Sequence, residues 1–229
     1  MQTRSQLHEE LDRMRRELTL MAARVEENLG KAVSILKTGD EKLANEVRGC
    51  GKIIDEMQLK IEDMALVLIA TQQPVASDLR ELVTVFKLTT NLERIDDYAV
   101  HLTKAAIKFS SRPPFRSMER IGRMAETGQQ MLKAAFSAYL AHDNDAAREA
   151  AALDDSIDTE HRALTEEVLA FIKEKPDLVK AAARLLRLSG YMERLGDHIT
   201  NICEAIIYMT QGSHEELNPV RAHRRKDRN

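Results

Sequence analysis

The chain carries its own pattern twice. Residues 92–99, LERIDDYA, return one hundred positions later as MERLGDHI at 192–199, so that Glu93, Arg94, Ile95 and Asp97 find counterparts in Glu193, Arg194, Leu195 and Asp197. The flanking apolar residues repeat as well. Val85, Leu88, Leu92, Ile95, Ala99, Leu102 and Ala106 recur in steps of three and four, the spacing of one buried helical stripe. The same stripe reappears as Leu185, Leu188, Met192, Leu195, Ile199, Ile202 and Ile206. A shift of 103 relates earlier positions: Val33 to Phe136, Ile54 to Ile157, Asp55 to Asp158, Ile61 to Leu164, Leu66 to Leu169 and Ile69 to Ile172. The difference of three falls in a loop, so one structural unit has been laid down twice.

Breakers cut the chain at Thr38-Gly39-Asp40, Gln73-Pro74, Arg112-Pro113-Pro114, His142-Asp143-Asn144, Lys175-Pro176 and Gln211-Gly212. Six long segments lie between them. Helices of about 30 residues joined by short connections run antiparallel to their neighbours, which predicts an all-α protein of two tandem, pseudo-symmetric three-helix bundles. The first bundle is expected over residues 5–112 and the second over 113–212, with a basic tail at 213–229 containing Arg221, Arg224, Arg225, Lys226 and Arg228. Composition agrees: 43% hydrophobic residues build a core, and aromatics at 4% with no Trp favour helices over strands.

Charge and apolar runs limit the function classes. A net charge of −3 lacks the basic footprint of a nucleic-acid partner. The start of the chain has no apolar signal core, and the longest apolar run, residues 64–70, is too short for a bilayer, so a cytoplasmic protein is expected. Cys50 and Cys203 lie in different halves without metal-type spacing and read as core thiols.

The acidic pairs carry the chemistry. Glu93/Asp97, Glu193/Asp197 and Asp154/Asp158 each stand one helical turn apart on one face, close enough to hold or bridge a cation. Hard oxygen ligands suit iron, manganese or magnesium. Asp154 and Asp158 belong to the fifth segment in a stretch expected to face the sixth, which would gather four carboxylates. Like charges at that density must bind cations, meet arginines or stay hydrated. The competing assignment therefore neutralises them with Arg94, Arg194, Arg80 or Arg184. His198, beside Asp197, is either an added nitrogen ligand or a hydrogen-bonded histidine. Asp145/Glu149 reads as a solvated face.

ERIDD and ERLGD on two tandem three-helix repeats, with QQPVASDLREL at 72–82 opening the third helix, resemble the PhoU family of phosphate-signalling regulators from about residue 5 to 212. The resemblance implies a non-enzymatic adaptor, a homodimer reaching the membrane only through its partners. It would restrain the phosphate ABC transporter, through the ATPase subunit, and the phosphate-responsive sensor histidine kinase. It also implies multinuclear metal, iron foremost with zinc, manganese or magnesium as alternatives, on paired [DE]-x-x-x-D motifs. Carried to this chain, the ligands are Asp55, Glu93 and Asp97 in the first half and Asp154, Asp158, Glu193 and Asp197 in the second. Gly51 stands where the first half should have its remaining acid. Between Pro74 and Glu81, Ser77 or Asp78 is expected to cap the third helix. A metal-free helical scaffold is the alternative function. A ferritin-like di-metal oxidase is the other, although only Asp158-Thr-Glu-His161 approaches its Glu-x-x-His motif.

Overall fold

The computed structural model describes residues 2–109 and 118–218, all helices and short turns with no strand among them. The expected boundary at residue 113 and the basic cluster from Arg221 onward lie outside the described residues. Helix α1 spans Gln2–Thr38, α2 Glu41–Gln72 and α3 Ala76–Phe109; these form the first bundle. The second contains α4 (Met118–Ala141), α5 (Asn144–Ala152), α6 (Asp154–Glu174), a single 3-10 turn at Pro176–Leu178, and α7 (Val179–Gln211).

Local chemistry explains the joints. Gly39 adopts φ 66°, which lets the chain reverse between α1 and α2, and Asp40 then accepts hydrogen bonds from the amides of Lys42 and Leu43. Asp143 caps α5 in the same way through Asp145 and Ala146. Helix α2 stops at Gln73, in the left-handed conformation just before Pro74. The expected cap by Ser77 or Asp78 is corrected: α3 already begins at Ala76, so both residues lie inside its first turn, where Asp78 meets the helix dipole as an anion. Glu81 takes another role. It receives a two-pronged ion pair from Arg15 of α1, 2.5 Å at Nε and 2.7 Å at Nη2, and is almost wholly buried.

Both repeated stripes are buried as expected, with every member at most 4% exposed. They meet because α3 and α7 pack along each other in opposite directions. Thr84 reaches the carbonyl of Ala205, Asn91 the ring of His198, and Tyr98 stacks on Tyr191. One apolar core runs through both bundles. Leu66 and Leu169 repeat in sequence yet are 54% and 52% exposed, so that pair belongs to the surface. The fifth predicted helix is broken in two. Leu153 keeps right-handed dihedrals but leaves the hydrogen-bond ladder, and the break turns Asp154 into the opening residue of α6.

Candidate metal centre

In the second half, α6 presents Asp154 and Asp158 to the stretch of α7 that carries Glu193 and Asp197. Asp154 begins its helix, where the N-terminal dipole favours a carboxylate. Its side chain lies directly over Gly196 of α7: a Cβ there would collide with Asp154 Oδ1 and stand 3.2 Å from Ile157 Cδ1. Glycine is needed for the acid to enter. Asp154 is 8% exposed; Thr200 donates to its Oδ2 at 3.4 Å, whereas Oδ1 is buried without a hydrogen-bond partner. Burial pushes this carboxyl up to about 7, aided by the charges of Asp158, Asp197 and Glu193. Asp158 is raised as well, by burial first and then by Asp197. The four predicted acids therefore share one electrostatic neighbourhood. Asn218, beyond the end of α7, donates to Asp197 at 2.8 Å.

The first half solves the same problem from the opposite helix. Asp96 of α3, the fourth residue of ERIDD, is 2% exposed and accepts from Asn28 of α1 at 2.7 Å. Its other oxygen lies 4.0 Å from where a Cβ on Gly51 would stand. Gly51 matches Asp154 under the 103-residue shift, and Asp96 matches Gly196 under the 100-residue shift. Glycine and aspartate have exchanged places across the helix pair. Gly51 does remove an acid from α2, but Asp96 restores the count, giving Asp55, Glu93, Asp96 and Asp97. Burial pushes Asp96 up to about 6 against the lowering effect of Asn28, with Asp97 and Asp55 adding to the rise. Glu93 is raised by burial, opposed by Arg94 and reinforced by Asp97, Asp55 and Asp96.

Arginine neutralisation occurs in part. Arg94 lies 3.3 Å from Glu93 and 3.5 Å from Asp97 on its own helix, half exposed. Arg80 instead donates to the carbonyl of Met209, and Arg184 stands away from the acids beside Arg187. His198 is engaged through Nδ1 by Asn91 at 2.8 Å and His161 through Nδ1 by Ser189 at 2.7 Å, so the donors common to both clusters are carboxylate oxygens. Asp145 pairs with Arg148 on the surface, as an ordinary solvated face should.

A carboxylate donor set with one buried, unbonded oxygen fits a hard cation. As the side chains stand, no three His, Cys, Asp or Glu groups among the described residues converge to hold an ion. Asp96 was the functional candidate that the repeat alone did not show. Its only signal was the extra acid in ERIDD opposite a glycine in α2.

These features define a helical protein built from two pseudo-symmetric bundles, each with a half-buried carboxylate cluster, between α2 and α3 in the first and between α6 and α7 in the second. The chain belongs to the PhoU domain family, whose model matches residues 18–106 and again 117–206. It is 33% identical over 217 residues to a phosphate-specific transport system accessory protein PhoU homolog of Clostridium acetobutylicum, covering 94% of this chain and 99% of that one. A homolog of the same description from Aquifex aeolicus is 30% identical over 90% of this chain and 93% of its own. The crystal structure of PhoU from Pseudomonas aeruginosa superposes with a TM-score of 0.85 at 29% identity, covering 90% of this chain and 99% of that chain. The phosphate transport system regulatory protein PhoU from Streptococcus pneumoniae gives 0.84 at 25% identity, over 92% and 99%. No described helix is long and apolar enough to cross a membrane.

Proposed function

We propose that this chain is a non-enzymatic accessory regulator of a phosphate-specific transport system, acting in the cytoplasm by protein contact. The observation that carries the reading is near-full-length similarity to proteins described as accessory to phosphate-specific transport, on a fold whose two halves both match one family model. In this reading the chain, as a homodimer, restrains the transporter's ATPase subunit and a phosphate-responsive sensor histidine kinase when phosphate is abundant. Deleting the gene should switch on phosphate-starvation genes in phosphate-rich medium, and crosslinking in such cells should recover the ATPase subunit or the kinase. Starvation genes that stay silent after deletion would overturn the proposal.

The acidic clusters fit this role as structural joints. Asp154, Asp158, Glu193 and Asp197 would hold a cation between α6 and α7, and Asp55, Glu93, Asp96 and Asp97 one between α2 and α3; iron is the first candidate, then zinc, manganese or magnesium. A bound cation supplies positive charge that lets the acids share one space, stabilising the folded state by mass action. Elemental analysis of purified protein, with thermal melts before and after a chelator, tests it. A melt unmoved by chelator in protein that carries no metal would favour a metal-free scaffold.

A further inference from the structure

The antiparallel pairing of α3 and α7 leaves a groove on either side of the pseudo-twofold, and the repeat makes the two grooves counterparts. One, about 620 Å³, is lined by Lys87, Asn91, Asn201 and Glu204 together with residues 214–216. The other, about 350 Å³, is lined by His101, Lys104, Lys108, Arg184, Arg187 and Tyr191. Shifting by one hundred residues turns Asn201 into His101, Glu204 into Lys104, Lys87 into Arg187 and Asn91 into Tyr191. The walls correspond but the charges do not.

The first groove shows what such a wall accepts. This chain's own segment after α7 lies along the α7 side as an extended strap and closes one edge of the groove. His214 stacks on Tyr208 with ring centres 4.4 Å apart, Glu215 is gripped by Arg148 at 2.8 and 3.0 Å, and the Leu217 amide donates to Glu204 at 2.9 Å. In the second groove Lys104 replaces Glu204. It can donate but not accept, so the matching occupant must offer acceptors. Four cations border this groove, no acid lines it, and none of the four pairs with a carboxylate among the described residues. Four uncompensated like charges on two packed helices repel one another and attract an anionic occupant. The stacked rings of His101 and Tyr191, 4.6 Å apart, add an aromatic surface like the one His214 finds on Tyr208.

We propose that the groove between Lys104 and Lys108 of α3 and Arg184 and Arg187 of α7 docks an extended acidic segment of a partner protein. The arginine forks take side-chain carboxylates, and Lys104 takes a backbone carbonyl or carboxylate where Glu204 takes an amide in the twin groove. The inference names a docking surface for the adaptor proposed above. It can fail while that reading stands, because its test needs neither transporter nor kinase.

The test is fluorescence anisotropy of a fluorescein-labelled, glutamate-rich octapeptide titrated with the full chain. Saturable binding that weakens with salt is expected. Lys104→Glu with Arg187→Glu should bind about tenfold more weakly or worse, the order of loss for reversing two contact charges. Lys87→Glu, in the twin groove, should bind as the parent does. All four basic residues are exposed, so melting curves should be unchanged; if the double reversal lowers them, Lys108→Gln with Arg184→Gln becomes the readout, with weaker binding expected. No saturable binding, or binding indifferent to these substitutions, overturns the proposal. So does tighter binding of inorganic tripolyphosphate or of phosphatidylglycerol vesicles through the same residues, which would make the groove a small-anion or membrane site.

Discussion

Asp154→Asn separates an acid kept for a cation from an acid kept for the fold. In the metal-free protein the Asp154 carboxyl is pushed from 3.8 up to about 7, chiefly by burial and then by Asp158, Asp197 and Glu193. Each unit corresponds to about 1.4 kcal/mol, so the folded state favours the neutral form by at most about 4 kcal/mol. An acid with a raised pKa binds its proton more tightly folded than unfolded. Its stabilising contribution is therefore fully present below about pH 4 and is lost as pH rises to about 7. Asparagine removes that dependence but sets an amide where Oδ1 already lacks a partner, at a cost of about 1–3 kcal/mol. In chelator at about pH 8 the variant should be more stable than the parent by roughly 1–3 kcal/mol, and at about pH 4 less stable by a similar amount. Urea unfolding with unchanged slopes measures both. Adding metal at the higher pH should raise the parent and leave the variant behind. If the variant is less stable than the parent by the same amount at both pH values, the carboxylate is well bonded in the fold and the reasoning fails.

Further outcomes follow from the packing. Exchanging the first-half pair, Gly51→Asp with Asp96→Gly, should keep the first-half metal occupancy measured by elemental analysis, whereas Asp96→Gly alone should reduce it. Gly51→Asp alone sets a carboxylate against Asp96 Oδ2, only 4.0 Å from the new Cβ, and should make the chain more stable as pH falls. Arg15→Ala leaves Glu81, 6% exposed, without its two-pronged partner and should cost about 3 kcal/mol in thermal or urea unfolding, with metal content unchanged.

The helices were legible because a buried stripe has a period that composition cannot disguise, and the two stripes along α3 and α7 are buried at every position named. The break at Leu153 was not. Residues 144–174 contain neither glycine nor proline, and Leu153 keeps φ −64° and ψ −20°, so its departure is one of hydrogen bonding rather than of residue preference. That break has a chemical consequence, since it places Asp154 at a helix start. The cap of α3 failed for a related reason. Asp78 and Glu81 have the spacing of a capping box, but Arg15 of α1, 66 residues from Glu81, takes the glutamate. Local spacing could not reveal a tertiary competitor.

The acidic clusters show where reading one helix at a time stops working. Taken along α2, Gly51 is a missing ligand; taken along α3, Asp96 is one acid too many for the motif. Across the packed pair they are a single feature. A buried carboxylate between two helices needs a gap on the facing helix, and glycine is the residue that leaves one. Asp154 over Gly196 meets this condition strictly, whereas a Cβ on Gly51 would make only an ordinary contact with Asp96 Oδ2 at 4.0 Å; each half still keeps four acids and one glycine in the joint. The partners are not equivalent, however. Asp96 Oδ1 is bonded by Asn28, whereas Asp154 Oδ1 has no partner, and the acid is pushed to about 6 in one half and about 7 in the other. A cation entering the second half therefore relieves a larger electrostatic cost than one entering the first. On titration with metal the second-half cluster should fill first, and Asp154→Asn should abolish the earlier of two binding steps seen by calorimetry while leaving the later one. Loss of the later step alone would show that the asymmetry runs the other way.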